Sequence, residues 1–291
     1  MLCIYKHTPK QIIVSSDYKV FMCSTDIETP QMSTADDAAG QPFEAVVDAE
    51  TMGTVVDLID ALVDECCIEL DEDGIHVPAV DPASVAMVDL ELADDAFEAY
   101  TGDGGRIGVD VGRLKEVVGM ADRGQVVEFV LDSETHALEI AIDDLEYTLA
   151  LIDPGSIRSP PDLSETDVEL SAGVVVEADA IGHALRAADM VSNQVAFGID
   201  ADARSFYVEA EGDTDDVSLA LGEDDLVALT PSEAHSLFSL NYLDAIDRAI
   251  AGTPNVDLQF GTETPVEIGY EFADGAGTVE YVVSPRRTVE Y

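Results

Sequence analysis

The stretch FEAVVDAETMGTVVDLIDALVDECCIEL, residues 43–70, decides how this chain folds. Its first five residues, 43–47, alternate as a strand does. Residues 50–64 then set Met52, Val55, Val56, Ile59, Leu62 and Val63 at helical spacing, giving one apolar face. Residues 67–70 return to strand character, and Glu72, Asp73 and Gly74 supply a tight hairpin turn before strands at 75–80 and 84–92. The order recurs further along. Residues 174–178 read as a strand, a helix at 179–190 buries Ile181, Ala184, Leu185 and Ala188, and strands follow at 196–200, 205–210 and 217–221.

Each copy continues with a second helix and more strands. The first copy predicts a helix over 110–122 with Leu114, Val117, Val118 and Ala121 inward. The second predicts one over 232–250, with Leu237, Phe238, Leu240, Ile246 and Ile250 among its apolar positions. The remaining strands are 125–131, 137–142 and 145–151 in one copy, and 256–260, 265–272 and 278–283 in the other. Residues 153–164 lie between the copies and hold Pro154, Gly155, Pro160 and Pro161, which suit neither a helix nor a central strand. The expected architecture is α+β: two similar domains, each with two helices and antiparallel sheets, at 43–152 and 168–291, joined by a connector at 153–167.

Among the 291 residues, 61 acidic side chains against 13 basic ones give a net charge of −48, while 47 % of residues are hydrophobic. That apolar fraction builds a packed core and excludes a purely disordered acidic chain. The acid is spread through every segment from residue 43 onward, and only Lys115 among the four lysines lies beyond residue 20. Such a surface suits a cytosol near salt saturation, where a Debye length of about 3 Å or less screens self-repulsion. The rival reading is an acidic nucleic-acid mimic that sequesters DNA-binding proteins, although mimicry does not require losing lysine throughout. Residues 1–31 are charge-balanced, so 1–42 is expected to be a disordered or spurious extension. No apolar run approaches the roughly 18 residues of a membrane helix, and a cytoplasmic, nucleoid-associated location is expected.

Catalytic motifs are not found. The sequence has no Gly-x-x-x-x-Gly-Lys-Ser/Thr, no His-Glu-x-x-His and no Gly-x-Ser-x-Gly. The loop 102–108 leads into a strand rather than a helix, and 71–74 reads as a hairpin turn rather than a calcium loop. Cys66 and Cys67 are adjacent and without a Cys-x-x-Cys, so they read as buried structural thiols. The five histidines are scattered. Neither catalysis nor any cofactor or metal is expected.

From Phe43 to Tyr291 the chain resembles the proliferating cell nuclear antigen family of DNA sliding clamps. The resemblance rests on the opening strand, helix and Glu65-Cys66-Cys67-Ile68, on the segment 73–90, and on Gly108-Val109-Asp110 entering the second helix. Asn241-Tyr242-Leu243 and Val283-Ser284-Pro285-Arg286 add to it. It implies the DNA clamp fold and a homotrimeric ring of six similar domains that encircles double-stranded DNA without reading its sequence. Such a ring is a processivity factor for DNA replication and DNA repair, opened by a clamp loader. It tethers DNA polymerase, flap nuclease and DNA ligase through short client motifs.

The site residues implied are DNA-facing cations at Arg113, Lys115, Arg186 and Arg248. Arg123 is counted with them on the predicted helix 110–123, and Asp57 and Asp60 stand where the family usually carries lysine. A client-peptide pocket is implied at Val80, Val85, Met87, Ile157, Pro265, Val282, Val283, Ser284 and Pro285, with Ile157 as an exposed aliphatic on the groove rim. A subunit interface is implied at Glu146, Tyr147, Leu149, Val217, Leu219 and Leu221.

Overall fold

The computed structural model describes residues 43–132, 135–161, 170–250 and 252–286. The expected extension at 1–42 and the part of the connector at 162–167 lie outside them. The first half runs β1 (Phe43–Asp48), α1 (Ala49–Asp60), β2 (Glu65–Asp71), β3 (Gly74–Val80), β4 (Ala86–Ala93), β5 (Phe97–Gly102) and β6 (Arg106–Asp110). It ends with α2 (Val111–Val118), β7 (Val126–Asp132), β8 (Ala137–Ile142) and β9 (Leu145–Ala150). The second half repeats that order: β10 (Ala172–Glu177), α3 (Ala178–Ala188), β11 (Gln194–Asp200), β12 (Ser205–Glu211), β13 (Asp216–Gly222), β14 (Ala228–Thr230) and β15 (Ala234–Ser239). It closes with α4 (Leu240–Ala249), β16 (Asn255–Phe260), β17 (Val266–Phe272) and β18 (Gly277–Val283).

The duplication extends to the sheets. The order β5-β1-β7-β8-β9 in one half is matched by β14-β10-β16-β17-β18 in the other, and β4-β3-β2-β6 is matched by β13-β12-β11-β15. Reading the halves as two linked domains leaves out what joins them. Strand β18 pairs antiparallel with β4, Tyr281 opposite Val88 and Val279 opposite Leu90, so nine strands from both halves form one sheet. Tyr281, fully buried, donates its hydroxyl to the carbonyl of Leu58 on α1 at 2.8 Å.

Local chemistry explains the helices. Asp48 caps α1 by accepting from Glu50 N at 2.8 Å and Thr51 N at 3.3 Å, and Asp110 caps α2 by accepting from Arg113 N at 2.9 Å. Each helix buries its apolar stripe, Met52, Val55, Val56 and Ile59 on α1 for instance, at roughly 1.5–3 kcal/mol per large side chain. In the second half Phe197, Phe206, Phe238 and Phe260 form an edge-on and tilted aromatic cluster, all fully buried.

Several expectations are corrected. The predicted helix 232–250 is a strand, β15, followed by α4, because its first third alternates buried and exposed residues against β11. Strands β5 and β14 carry little apolar alternation and are not anticipated. The strand expected from residue 84 begins at Ala86, since Asp81 to Val85 form a turn. Arg123 lies beyond α2, which ends at Val118. Cys66 and Cys67 are free and buried. Burial, and then the neighbouring thiol, push the pKa of Cys66 up to about 12, as suits inert structural thiols.

Candidate functional site

Helices α1 and α2 pack together, as do α3 and α4, and α1 also touches α4. Gly182 permits the α3–α4 approach: a Cβ there would lie 2.7 Å from Asp247 Oδ1. Arg113, Lys115, Arg186 and Arg248 stand exposed on this helical layer, and each is already partnered by an aspartate. Arg113 Nε lies 3.6 Å from Asp110, and Arg186 Nη1 lies 3.8 Å from Asp247, while Arg248 pairs with Asp244 one turn earlier. Lys115 Nζ bridges two carboxylates of α1, Asp60 at 2.6 Å and Asp57 at 2.9 Å. Those hydrogen bonds, Asp60 first, raise its pKa above the ordinary lysine value. Asp57 and Asp60 are therefore seats for Lys115. Together the four helices carry four basic and seven acidic side chains, so the layer is net acidic.

A second arrangement lies across the junction of the halves. Cross-strand pairing aligns Val80 on β3, Met87 on β4 and Val282 on β18 in one apolar row, which turns polar at Glu267 on β17 and Gln259 on β16. Met87 and Val282 are half-buried and Val80 is buried. Val85 and Ser284 adjoin the row, held by Ser284 N donating to Val85 O at 2.8 Å, and Pro285 and Pro265 are half-exposed beyond it. Val283 points the other way, into the core. Ile157 is not an exposed rim residue: only 8 % exposed, it tucks over β6, where a Cβ on Gly108 would lie 2.8 Å from Ile157 Cδ1. Ile152 anchors the same start of the connector by donating its N–H to Gly108 O at 2.8 Å. An aliphatic residue in a polar, proline-rich segment has two solutions, groove or core, and here the core takes it.

The turn beside this row is organised by a residue that sequence reasoning missed. Asp81, 3 % exposed, accepts from Val85 N at 2.6 Å and Ala86 N at 2.7 Å on one oxygen. The other oxygen accepts from Ala83 N at 2.9 Å and from the hydroxyl of Tyr242 on α4 at 2.8 Å. Burial alone would raise the Asp81 pKa, but these hydrogen bonds, that of Ala86 foremost, outweigh it and hold the carboxyl below its usual range. Burial and then that carboxylate push Tyr242 up to about 12. The Asp-Pro-Ala-Ser string at 81–84 signals an aspartate-centred turn, but nothing local names its tyrosine partner.

Of the interface candidates, Glu146 is exposed and Tyr147, Val217, Leu219 and Leu221 are half-buried, on the outermost strands β9 and β13. Leu149 is buried in the core of its own half.

Known proteins are similar to this chain over most of its length. The family model described as "Proliferating cell nuclear antigen, N-terminal domain" matches residues 43–149. The "DNA polymerase sliding clamp" of Natronomonas pharaonis is 54 % identical over 244 residues, covering 84 % of this chain and 98 % of that protein. The protein of the same name from Haloarcula marismortui is 53 % identical over the same extent. The solved structure "C-terminal region of FEN-1 bound to A. fulgidus PCNA" superposes with a TM-score of 0.78 at 34 % identity, covering 85 % of this chain and all of that one.

Proposed function

The chain belongs to the proliferating cell nuclear antigen family of DNA polymerase sliding clamps, and from that premise we propose that three copies close head to tail into a ring lined by the helical layer. A sliding clamp is a processivity factor: it encircles duplex DNA and tethers the replicative polymerase and other proteins, so topology rather than affinity holds it there. The reading as an acidic mimic is set aside by that membership.

The observation that carries the ring is the unused half of the duplication. Within the chain β18 pairs with β4. Their counterparts β9 and β13 are the outermost strands of their sheets, paired on one edge with β8 and β12 and with no second partner strand among the described residues. Tyr147 faces Ile140 as Tyr281 faces Ile268, and Val217 faces Ala210 as Val88 faces Ala79. Pairing β9 of one copy with β13 of the next then puts Tyr147 opposite Val217 and Leu145 opposite Leu219. This repeats the buried pairs Tyr281–Val88 and Val279–Leu90. Because the two surfaces differ, the contact is heterologous and must close on itself or polymerise. It also covers two strand edges that would otherwise invite aggregation.

The four helix cations face the duplex, with their aspartate partners sharing dissolved cations with the phosphates. In concentrated salt, counterion release drives little binding, so a net acidic layer is tolerated. The row Val80, Met87 and Val282, with Val85, Pro265, Ser284 and Pro285 around it, takes the aromatic and aliphatic plug of a client such as a flap nuclease, polymerase or ligase. Ile157 anchors the connector over it. A clamp loader opens the ring on DNA, in the cytoplasm at the nucleoid, and bond-making belongs to the tethered enzymes.

Light scattering in molar salt tests the ring: three chains of 31.0 kDa give about 90 kDa, and the ring is retained on closed circular DNA but runs off linear DNA. A monomer, or equal retention on both substrates, overturns the proposal. Replacing Arg113, Lys115, Arg186 and Arg248 together by Ala is expected to reduce polymerase processivity, and unchanged processivity removes their assignment.

A further inference from the structure

The basic side chains of this acid-rich molecule are disposed unevenly. Among the described residues, Arg113, Lys115, Arg123, Arg186, Arg204 and Arg248 each hold a carboxylate. Arg106, Arg158 and Arg286 form no such pair, and Arg158 and Arg286 lie at the two chain segments that border the client row. Arg158 is exposed on the connector, one residue after the anchored Ile157. Its Nη1 alone is engaged, donating to Pro82 O at 3.1 Å and Ser84 Oγ at 2.9 Å, both neutral acceptors. The Nε–Nη2 side of the guanidinium, the fork that takes a carboxylate through two parallel hydrogen bonds, has no partner among the described residues.

That fork is held in place. Its acceptors belong to the turn that Asp81 ties through three backbone N–H groups, with Tyr242 bonded to the same carboxylate. The base of the connector is fixed on β6 through Ile152 and Ile157. A guanidinium presented by two anchored segments has little conformational freedom left to lose on binding. We propose that Arg158 is a specificity-determining residue of the client groove, reading a carboxylate placed beside the apolar plug of an extended client peptide. A hydrogen-bonded fork of this kind keeps its directional contact in salt that screens longer-range attraction. The inference rests on the groove reading above and adds the charge of the occupant to it.

Fluorescence anisotropy in 2 M KCl tests this with three synthetic peptides sharing one aromatic–aliphatic plug, flanked on both sides by Asp, by Asn or by Lys. The wild-type protein is expected to bind the Asp peptide roughly five- to twenty-fold more tightly than the Asn peptide. Arg158→Gln is expected to erase that difference while leaving Asn-peptide affinity intact, and Arg158→Glu to turn the preference toward Lys. A preference that survives in Arg158→Gln, or none in the wild type, overturns the proposal. Equal weakening of both peptides in Arg158→Gln assigns the side chain to holding the turn, and overturns it too. Failure of the wild type to bind any of the three overturns the groove reading itself.

Discussion

Replacing Tyr147 by Ala is expected to dissolve the ring while leaving each subunit folded. The magnitude comes from the matching residue inside the chain. Tyr281, on the strand equivalent to β9, is 0 % exposed and donates to Leu58 O at 2.8 Å. The capping residues Asp48 and Glu177 set α3 at 129 residues from α1, so the carbonyl equivalent to that of Leu58 is that of Ala187 in the neighbouring subunit. Removing a fully buried aromatic side chain costs about 3–5 kcal/mol. Tyr147 is already half-buried in its own subunit, so about half of that, roughly 1.5–2.5 kcal/mol, falls on each interface. At about 1.4 kcal/mol per tenfold, each contact weakens about 10- to 60-fold. Tyr147→Phe loses only the hydrogen bond, about 1 kcal/mol, and roughly fivefold. Sedimentation over a concentration series in molar salt reads both effects. Trimer populations in Tyr147→Ala that match the wild type at every concentration would refute the pairing of β9 with β13.

Three further perturbations probe the parts that support the groove and the sheet. Asp81→Ala leaves the Tyr242 hydroxyl and three backbone N–H groups without their acceptor and is expected to destabilise the fold by about 3 kcal/mol in chemical denaturation, with Asp81→Asn recovering part of it. Gly108→Val brings side-chain carbon against Ile152 O, 2.5 Å from the Cβ position, and against Ile157, so the connector is expected to lift from β6; limited proteolysis within 152–158 that matches wild type would count against it. His76 lies between Asp89 at 2.7 Å and Glu69 at 3.1 Å, with Glu91 opposite it on β4; burial lowers its pKa, but the two carboxylates outweigh burial and raise it above the ordinary value of 6.5. Its contribution, up to about 1 kcal/mol, is full below pH 6.5 and lost as pH rises through the higher folded-state pKa, so thermal stability is expected to fall across that window in wild type and stay flat there in His76→Gln.

Sequence alone determined the internal duplication, the strand–helix–strand opening of each half and most element positions, because amphipathic period and turn residues are local properties that survive without tertiary context. Residues 234–239 show where that stops: apolar side chains dense enough for a helix are a strand, because β11 lies alongside to pair with them. Tertiary structure alone decided that β18 joins β4, that Ile157 goes into the core, that Lys115 sits on Asp57 and Asp60 and Arg186 beside Asp247, and that Tyr242 reaches Asp81 from 161 residues away. Each of these depends on which distant segment arrives at a strand edge, a carboxylate or a cavity. That choice is made by competition among whole surfaces for burial and hydrogen bonds, and no window of neighbouring residues contains it.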